Sequence, residues 1–188
     1  MNEGYSRPLG LARLAAIYLL VAVVLAFARP TPAHLTAGSI LLALGEALRV
    51  WAAGHLIKNE RLVTSGPYRY TRNPLYLGRL LIFTGLCVMS RLPFGASWWL
   101  LLAGYGVFFG YYLPRKERVE PARLRELHGE ALDAYRREVP ALFPYRPAYV
   151  GDSEKRWTLA CALDNREHWM VGALAALVGL LLWRTYSS

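Results

Sequence analysis

The sequence predicts an all-α integral membrane protein with about five transmembrane helices and one amphipathic helix at the cytoplasmic surface. Hydrophobic residues make up 55% of the 188 residues and charged residues only 19%, whereas soluble domains average about 25% charged residues. The mean hydropathy of +0.23 is high for a chain with 22 Lys and Arg residues and a net charge of +9. The apolar residues therefore come in blocks, with the charges between them, as a bilayer requires.

Five apolar blocks are the candidate spans. The first is long enough to cross about 30 Å of hydrocarbon. Its Ala26-Phe27-Ala28 also resembles a signal-peptide cleavage site, but more apolar blocks follow, which favours an uncleaved helix. The last block is short, and Trp169 and Trp183 bracket it as interfacial anchors. The blocks cover residues 9–28, 35–56, 75–90, 94–113 and 168–184.

The placement of basic residues predicts the orientation in the membrane. Two basic segments precede the third block and follow the fourth, whereas the turns on the opposite side carry little beyond Arg29 and Arg91. Cytoplasmic loops are enriched in Lys and Arg, so the N-terminus and both basic segments are expected in the cytoplasm, at a prokaryotic inner membrane or the endoplasmic reticulum. The basic residues are Lys58, Arg61, Arg69, Arg72, Arg115, Lys116 and Arg118.

A charged stretch over residues 114–138 predicts the amphipathic helix. Glu120 suits an N-cap and Pro121 a first helical position. The helix is too polar to span the bilayer and is expected to lie at its surface. Residues 139–166, with three prolines, are predicted to form a loop. The apolar face recurs at three- and four-residue spacing, at Leu124, Leu127, Ala131 and Tyr135.

Several functional classes find no support in the sequence. It has no nucleic-acid-binding motif, so no nucleic-acid partner is expected, and no serine-hydrolase elbow, zinc-protease motif, P-loop or Rossmann fingerprint. The four histidines are scattered, and Cys87 and Cys161 belong to no Cys-x-x-Cys pair, so no metal site is predicted. About five spans without a visible repeat are a poor match to repeat-built transporters.

The second block carries three ionisable residues, Glu46, Arg49 and His55. Glu46 and Arg49 are three residues apart and share a helix face, and ionisable groups within a span usually face the protein interior or a wet cavity. They are interpreted either as an ion pair between helices or as substrate or cofactor contacts. We treat all three as candidate substrate-binding residues, with Arg49 as the candidate for orienting an anionic group.

The most distinctive segment reads Gly66-Pro-Tyr-Arg-Tyr-Thr-Arg-Asn-Pro-Leu-Tyr-Leu-Gly78. Gly66-Pro67 predicts a turn. Asn73 is placed as the N-cap of the third block and Pro74 at its first helical position. The tyrosines suit a membrane interface and the arginines suit lipid phosphate. Composition alone leads no further.

This segment resembles the isoprenylcysteine carboxyl methyltransferases and the related membrane phospholipid methyltransferases. Their signature is a Gly-Pro-Tyr run followed by Arg-His-Pro-x-Tyr-x-Gly, which here reads Arg72-Asn-Pro-Leu-Tyr-Leu-Gly78. A second motif follows the next helix, and the two motifs stand in the expected order over residues 62–144. The second motif is matched by Glu120, Leu124, Gly129, Tyr135 and Val139-Pro140.

The resemblance implies that segments 62–79 and 115–144 enclose S-adenosylmethionine. Tyr68 or Tyr76 would pack on its adenine or sulfonium. Glu120 would pair with its ammonium and Arg72 with its carboxylate, and Gly78 would permit close backbone approach. The cofactor-binding residues implied are Tyr68, Arg72, Asn73, Pro74, Tyr76, Leu77, Gly78, Glu120, Leu124 and Tyr135.

Two departures from the family pattern bear on the acceptor: Asn73 replaces the common histidine and Pro121 replaces a second glutamate. Asn73 cannot act as a base, whereas an amine must lose a proton before it attacks and a carboxylate need not. The missing base therefore favours a carboxylate or a thiolate, and the expected acceptor is a lipophilic, isoprenylcysteine-like carboxylate dissolved in the membrane lipids. Arg49, Arg72 and Asn73 are the candidate catalytic residues. The alternatives are a phospholipid amine N-methyltransferase and a non-catalytic protein that binds lipid or a partner.

Overall fold

The computed structural model describes residues 19, 22, 25–56, 62–151 and 156–187, without the side chains of residues 119–128. Within these ranges the chain forms helices and no strand, which confirms the all-α class. The first apolar block lies mostly outside the described residues, and the few positions described there are helical up to Phe27. The helices are α1 (Pro32–His55), α2 (Pro74–Ser90), α3 (Ala96–Val107), α4 (Leu113–Glu138), α5 (Leu159–Asp164) and α6 (Glu167–Ser187).

Helices α1 and α2 pack backbone to backbone through glycines spaced two turns apart. A Cβ on Gly38 would lie 2.5 Å from the carbonyl oxygen of Gly85, and one on Gly45 would lie 2.7 Å from that of Gly78. Small residues that allow helix backbones to approach this closely are typical of helix pairs in membranes. The contact fixes the start of α2, and with it the Gly66–Gly78 segment, against the C-terminal half of α1.

Helix α4 corrects one prediction from the sequence. A π-helical turn, Phe108–Tyr112, joins α3 directly to α4, so the helix begins well before Glu120 and the proposed N-cap there is wrong. Pro121 lies within the helix and lacks the N–H that would pair with the carbonyl four residues earlier. The helix is kinked at Gly129, where φ is 45°, and continues to Glu138.

The stretch predicted to be a loop over residues 139–166 contains the short helix α5, which corrects a second prediction. Thr158 caps α5 by accepting a hydrogen bond from the backbone N–H of Cys161. After α5, the Asn165 side-chain amide donates to the carbonyls of Ala53 and Leu56, at 3.1 and 3.2 Å. The C-terminal segment thereby adds hydrogen bonds to carbonyls at the end of α1, where the regular backbone pairing of the helix stops.

Among the described helices, α1 and α6 are each long and apolar enough to cross a membrane, and α2 is apolar but shorter. These are two candidate spans where the sequence predicts five. Helix α2 has 17 residues, whereas a span needs about 20, and α3 passes into the charged α4 without a break. Helix α6 is largely exposed along its length, with Trp169 and Trp183 at its two ends on the surface.

Candidate functional site

The Gly66–Gly78 segment begins with a turn that contacts the end of α1. Gly66 has a φ of 58°, a left-handed conformation that glycine adopts without strain. A Cβ on Gly66 would lie 2.5 Å from the His55 ring, so glycine is also needed here for space. The buried His55 ring places Nδ1 3.0 Å from the carbonyl oxygen of Trp51. His55 thus lies against the turn that starts the segment.

Asn73 connects the two motif segments. Its side-chain amide donates to Glu117 Oε1 at 2.9 Å and to the carbonyl oxygen of Ala141 at 2.8 Å. Asn73 occupies the N-cap position of α2 as predicted, but its side chain makes no capping hydrogen bond. The partners on α4 and on the following loop take both amide hydrogens, so this side chain joins three parts of the chain.

Glu117 is the centre of a small charged cluster that the sequence did not reveal. Its Oε2 lies 2.8 Å from Arg72 Nη1 and 3.3 Å from Arg136 Nη2. The Arg72 backbone N–H also donates to the carbonyl of Pro140, at 3.0 Å. Glu117 lies within the second motif segment and one helical turn before Glu120, which was the only available signal for its role.

Arg72 retains donor capacity in this cluster. Burial lowers the pKa of its guanidinium, and the nearby Glu117 carboxylate opposes that shift. Within the described part of the chain, Arg72 Nε has no hydrogen-bond partner, and Nη1 meets Glu117 at ion-pair distance without hydrogen-bond geometry. Buried polar groups normally find partners, so Arg72 has the chemistry to bind a further anion.

Tyr68 and Tyr135 form the buried floor of the same region. The Tyr135 hydroxyl donates to the carbonyl oxygen of Tyr68 at 2.8 Å, and its ring packs edge-on against Tyr149 with centroids 5.4 Å apart. The Tyr68 ring lies in an apolar cluster with Ala52 and Val63. The Tyr135 side chain therefore joins the second motif segment to the backbone of the first, and the Tyr68 ring packs against α1.

Tyr135 predicts a pH dependence of stability. Burial raises the pKa of its hydroxyl, so above about pH 10, where an exposed tyrosine ionises, only the unfolded chain loses this proton. The free energy of unfolding should fall as pH rises through that range. Tyr135→Phe should cost about 1 kcal/mol at neutral pH through the lost hydrogen bond and flatten the alkaline decline. Unfolding in detergent as a function of pH measures both, and Tyr186→Phe, at an exposed position, is the control that should retain the decline.

The first turn of α2 carries Pro74, Tyr76 and Leu77. Pro74 is fully buried, and Leu77 is partly buried. The Tyr76 ring is flanked by two cations, with Lys116 Nζ 4.4 Å and Arg79 Cζ 5.1 Å from its centroid. The Tyr76 ring therefore already contacts positive charge, and its contact with the cofactor stays a prediction.

A second charged cluster lies deeper, between α1 and α6. Arg49 Nη2 lies 2.9 and 2.7 Å from the two carboxylate oxygens of Glu167, and Arg49 Nε lies 3.3 Å from Glu46. All three side chains are buried. The sequence predicted the Glu46–Arg49 pair but missed Glu167, for which a carboxylate at the start of an apolar block was the only signal.

The deeper cluster touches the motif helix. A Cβ on Gly78 would lie 2.6 Å from Arg49 Cγ and 2.7 Å from the Gly45 carbonyl oxygen. The close approach that Gly78 permits is therefore to α1 and to the Arg49 side chain. Helix α2 thus runs from the Arg72–Asn73–Glu117 cluster at its start to the Glu46–Arg49–Glu167 cluster one turn further on.

The side chains of Glu120 and Leu124 lie outside the described residues, so their predicted roles stay predictions. The structure does bring together Tyr68, Arg72, Asn73 and Tyr135 at one junction. Over the ranges that are described, no group of three or more His, Cys, Asp and Glu side chains is arranged to hold a metal ion.

The profile of the phospholipid methyltransferase family matches residues 21–130. The chain is similar to the cobalt-zinc-cadmium resistance protein CzcN of Cupriavidus metallidurans, with 32% identity over 158 residues, covering 80% of this chain and 69% of that protein. It is also similar to the nickel-cobalt-cadmium resistance protein NccN of Alcaligenes xylosoxydans xylosoxydans, with 30% identity over 64% of this chain and 54% of that protein. No solved structure matches.

Proposed function

We propose that this chain, which belongs to the phospholipid methyltransferase family, transfers a methyl group from S-adenosylmethionine to a lipophilic acceptor in the membrane. One observation carries the proposal beyond family membership. The two motif segments, far apart in sequence, meet through the Asn73 amide, which donates to Glu117 and to the Ala141 carbonyl. A site assembled from both motifs at the start of an apolar helix can face water and hydrocarbon together.

The proposed membrane arrangement has five spans with the site in the cytoplasm. Helices α1 and α6 have the length and apolar character of spans. Helix α2, α3 with its π-turn and the block at residues 9–28 complete the proposed set. The charge bias along the chain supports this orientation, which places the Arg72–Asn73–Glu117 cluster where a soluble cofactor reaches it.

The donors at this junction fit S-adenosylmethionine. Its carboxylate matches Arg72, whose buried Nε lacks a partner among the described residues. Ser65 Oγ, also buried and without a described partner, lies just before the Gly66 turn and suits a ribose hydroxyl. Tyr76 suits a cation on its ring face. Glu120 is the proposed partner of the ammonium group.

The protein's contribution to the proposed reaction is alignment and exclusion of water. The bound cofactor supplies a methyl group on a sulfonium that is already a good leaving group. Asn73 and Glu117 hold the motif segments in one geometry, so little reorganisation is needed when the acceptor arrives. Arg49, against Gly78, is the proposed orienting group for an anionic acceptor, through its unpaired Nη1. We therefore propose a carboxylate attached to a lipophilic chain as the acceptor.

A phospholipid amine is the second candidate acceptor, because the matched family is described as phospholipid methyltransferases. The names of the two relatives refer to metal resistance, and the choice of acceptor bears on such a role. Methylating a carboxylate removes a negative charge from the membrane surface, which lowers the local concentration of divalent cations. Methylating an amine does not remove such a charge. A contribution to metal resistance is thus best explained by the carboxylate acceptor.

Calorimetric binding of S-adenosylmethionine and S-adenosylhomocysteine to the purified protein tests the proposal. We expect a dissociation constant in the micromolar range, about −8 kcal/mol. Tyr76→Ala and Glu120→Ala should each weaken binding, whereas Glu130→Ala, at an exposed position on the same helix as Glu120, should not. Folded protein that binds neither compound, in detergent and again in nanodiscs, would contradict the proposal.

A further inference from the structure

A groove of about 920 Å³ runs along the surface between α1 and α6. Its walls are mostly hydrocarbon, from residues such as Leu42 and Val50 on α1 and Leu174 and Val178 on α6. A groove of this size accommodates a lipid-sized ligand. Helix α6 lies beyond residues 21–130, which match the family, so the groove is formed partly by a segment outside the matched region.

Glu46 gives this apolar groove an acidic centre. Among the described lining residues, Glu46 is the charged one. It belongs to a buried cluster in which two carboxylates, Glu46 and Glu167, face the single guanidinium of Arg49. Counted at their ordinary ionisation, the three side chains carry one negative charge in excess. Glu46 Oε1 is buried without a hydrogen-bond partner within the described part of the chain.

Arg49 neutralises the Glu46 carboxylate only in part, because its shorter contacts are to Glu167. Its Nη2 donates to both carboxylate oxygens of Glu167, at 2.9 and 2.7 Å. The Glu46 contact through Nε is longer, at 3.3 Å, and lacks hydrogen-bond geometry. An unpaired carboxylate beside hydrocarbon is costly. A cationic ligand in the groove would relieve that cost.

Two indole rings strengthen the case for a cation. Trp51 and Trp157 line the same groove as Glu46, and Trp157 is fixed in place because its Nε1 donates to the Val50 carbonyl at 3.1 Å. Indole rings attract ammonium groups more strongly than other aromatic side chains. A groove that holds one carboxylate and two indoles is therefore suited to an alkylammonium ligand.

We propose that the α1–α6 groove binds a monocationic amphiphile, with its ammonium group at Glu46 and its hydrocarbon chain along the apolar wall towards Ser39 and Leu182. The distance from Glu46 to Ser39 along α1 is about 10 Å, so this wall covers the part of the hydrocarbon chain nearest the head group. The groove ligand is distinct from the anionic acceptor proposed at Arg49, because Arg49 packs against Gly78 of α2 and does not line the groove. The proposal goes beyond methyl transfer and does not depend on it, because binding is measured without cofactor or turnover.

Quenching of the groove tryptophans tests this proposal. The protein in uncharged maltoside micelles is titrated with dodecylamine brominated near its head group, which is cationic at pH 7, and with the matching alcohol and carboxylate. Bromine quenches indole fluorescence on contact, and a variant with Trp51→Phe and Trp157→Phe supplies the background. We expect half-quenching by the amine at a concentration about tenfold lower than by the alcohol, as one ion pair with cation–π support predicts.

Two variants decide the outcome. Glu46→Gln should abolish the preference for the amine, whereas Glu130→Gln, at an exposed position on α4, should retain it. Val178→Phe leaves the charged cluster untouched and should weaken amine binding by filling the groove. Equal quenching by amine and alcohol, stronger quenching by the carboxylate, a preference that survives Glu46→Gln, or amine binding that Val178→Phe leaves unchanged would overturn the proposal.

Discussion

Replacing Arg49 with alanine is expected to destabilise the protein by about 3–5 kcal/mol, because it leaves two buried carboxylates without their cation. Both Glu46 and Glu167 lie within ion-pair distance of this guanidinium, and each is less than 10% exposed. The free energy of unfolding in detergent measures the effect. Arg118→Ala, at an exposed position on α4, is the matched control and should change stability by no more than about 0.5 kcal/mol.

Neutralising the whole cluster should restore most of that loss. A triple variant with Arg49→Met, Glu46→Gln and Glu167→Gln removes all three charges while keeping similar volumes, and such replacements of buried ion pairs are often neutral. If Arg49→Ala is as stable as the parent protein, the cluster is not buried as the structure places it. If the triple variant is no more stable than Arg49→Ala, lost packing around the arginine stem explains the effect instead.

The triple variant also separates stability from the proposed role of Arg49 in orienting the acceptor. A folded protein without this guanidinium should show a raised KM for a lipophilic carboxylate substrate, because an anchoring charge is missing. Unchanged kinetics in that variant would remove Arg49 from the candidate catalytic residues and leave it as a link between α1 and α6.

Contacts between residues close in sequence could be predicted, and contacts across the fold could not. The Glu46–Arg49 pair follows from a spacing of three on a helix. Glu167, which makes the shorter contacts to Arg49, lies 118 residues away, and no spacing rule connects them. Gly78 could be recognised as a close-approach position, but only the structure shows that α1 makes the approach.

Helix ends show the same limit. The sequence correctly placed Asn73 before Pro74 at the start of α2, since both residues favour a helix start. It could not indicate that the amide would be directed to Glu117 and Ala141, because those partners lie on other segments. Glu120 followed by Pro121 carries the same local signal, yet α4 begins at Leu113. The π-helical turn Phe108–Tyr112 leads directly into α4, so Pro114 lies in its first turn and Glu120 lies inside the helix.

Arg72→Ala is expected to weaken S-adenosylmethionine binding by about tenfold to a hundredfold, the effect of losing hydrogen bonds to a charged group. The fold should tolerate the change. Glu117 keeps two partners without Arg72, because Asn73 donates to its Oε1 and Arg136 Nη2 lies 3.3 Å from its Oε2. A loss of binding without a loss of stability would therefore report on the cofactor site.

Arg72→Lys sharpens the assignment, because lysine keeps the charge but lacks the planar fork that binds a carboxylate through two N–H groups. We expect Arg72→Lys to bind S-adenosylmethionine with an affinity between those of the parent protein and Arg72→Ala. Calorimetry provides the affinities, and thermal unfolding of the same samples provides the check on folding, with Arg118→Ala as control. Parent-like binding by Arg72→Ala, alongside weakened binding by Tyr76→Ala, would place the cofactor carboxylate elsewhere. Arg72 would then serve to hold Glu117 and the two motif segments together.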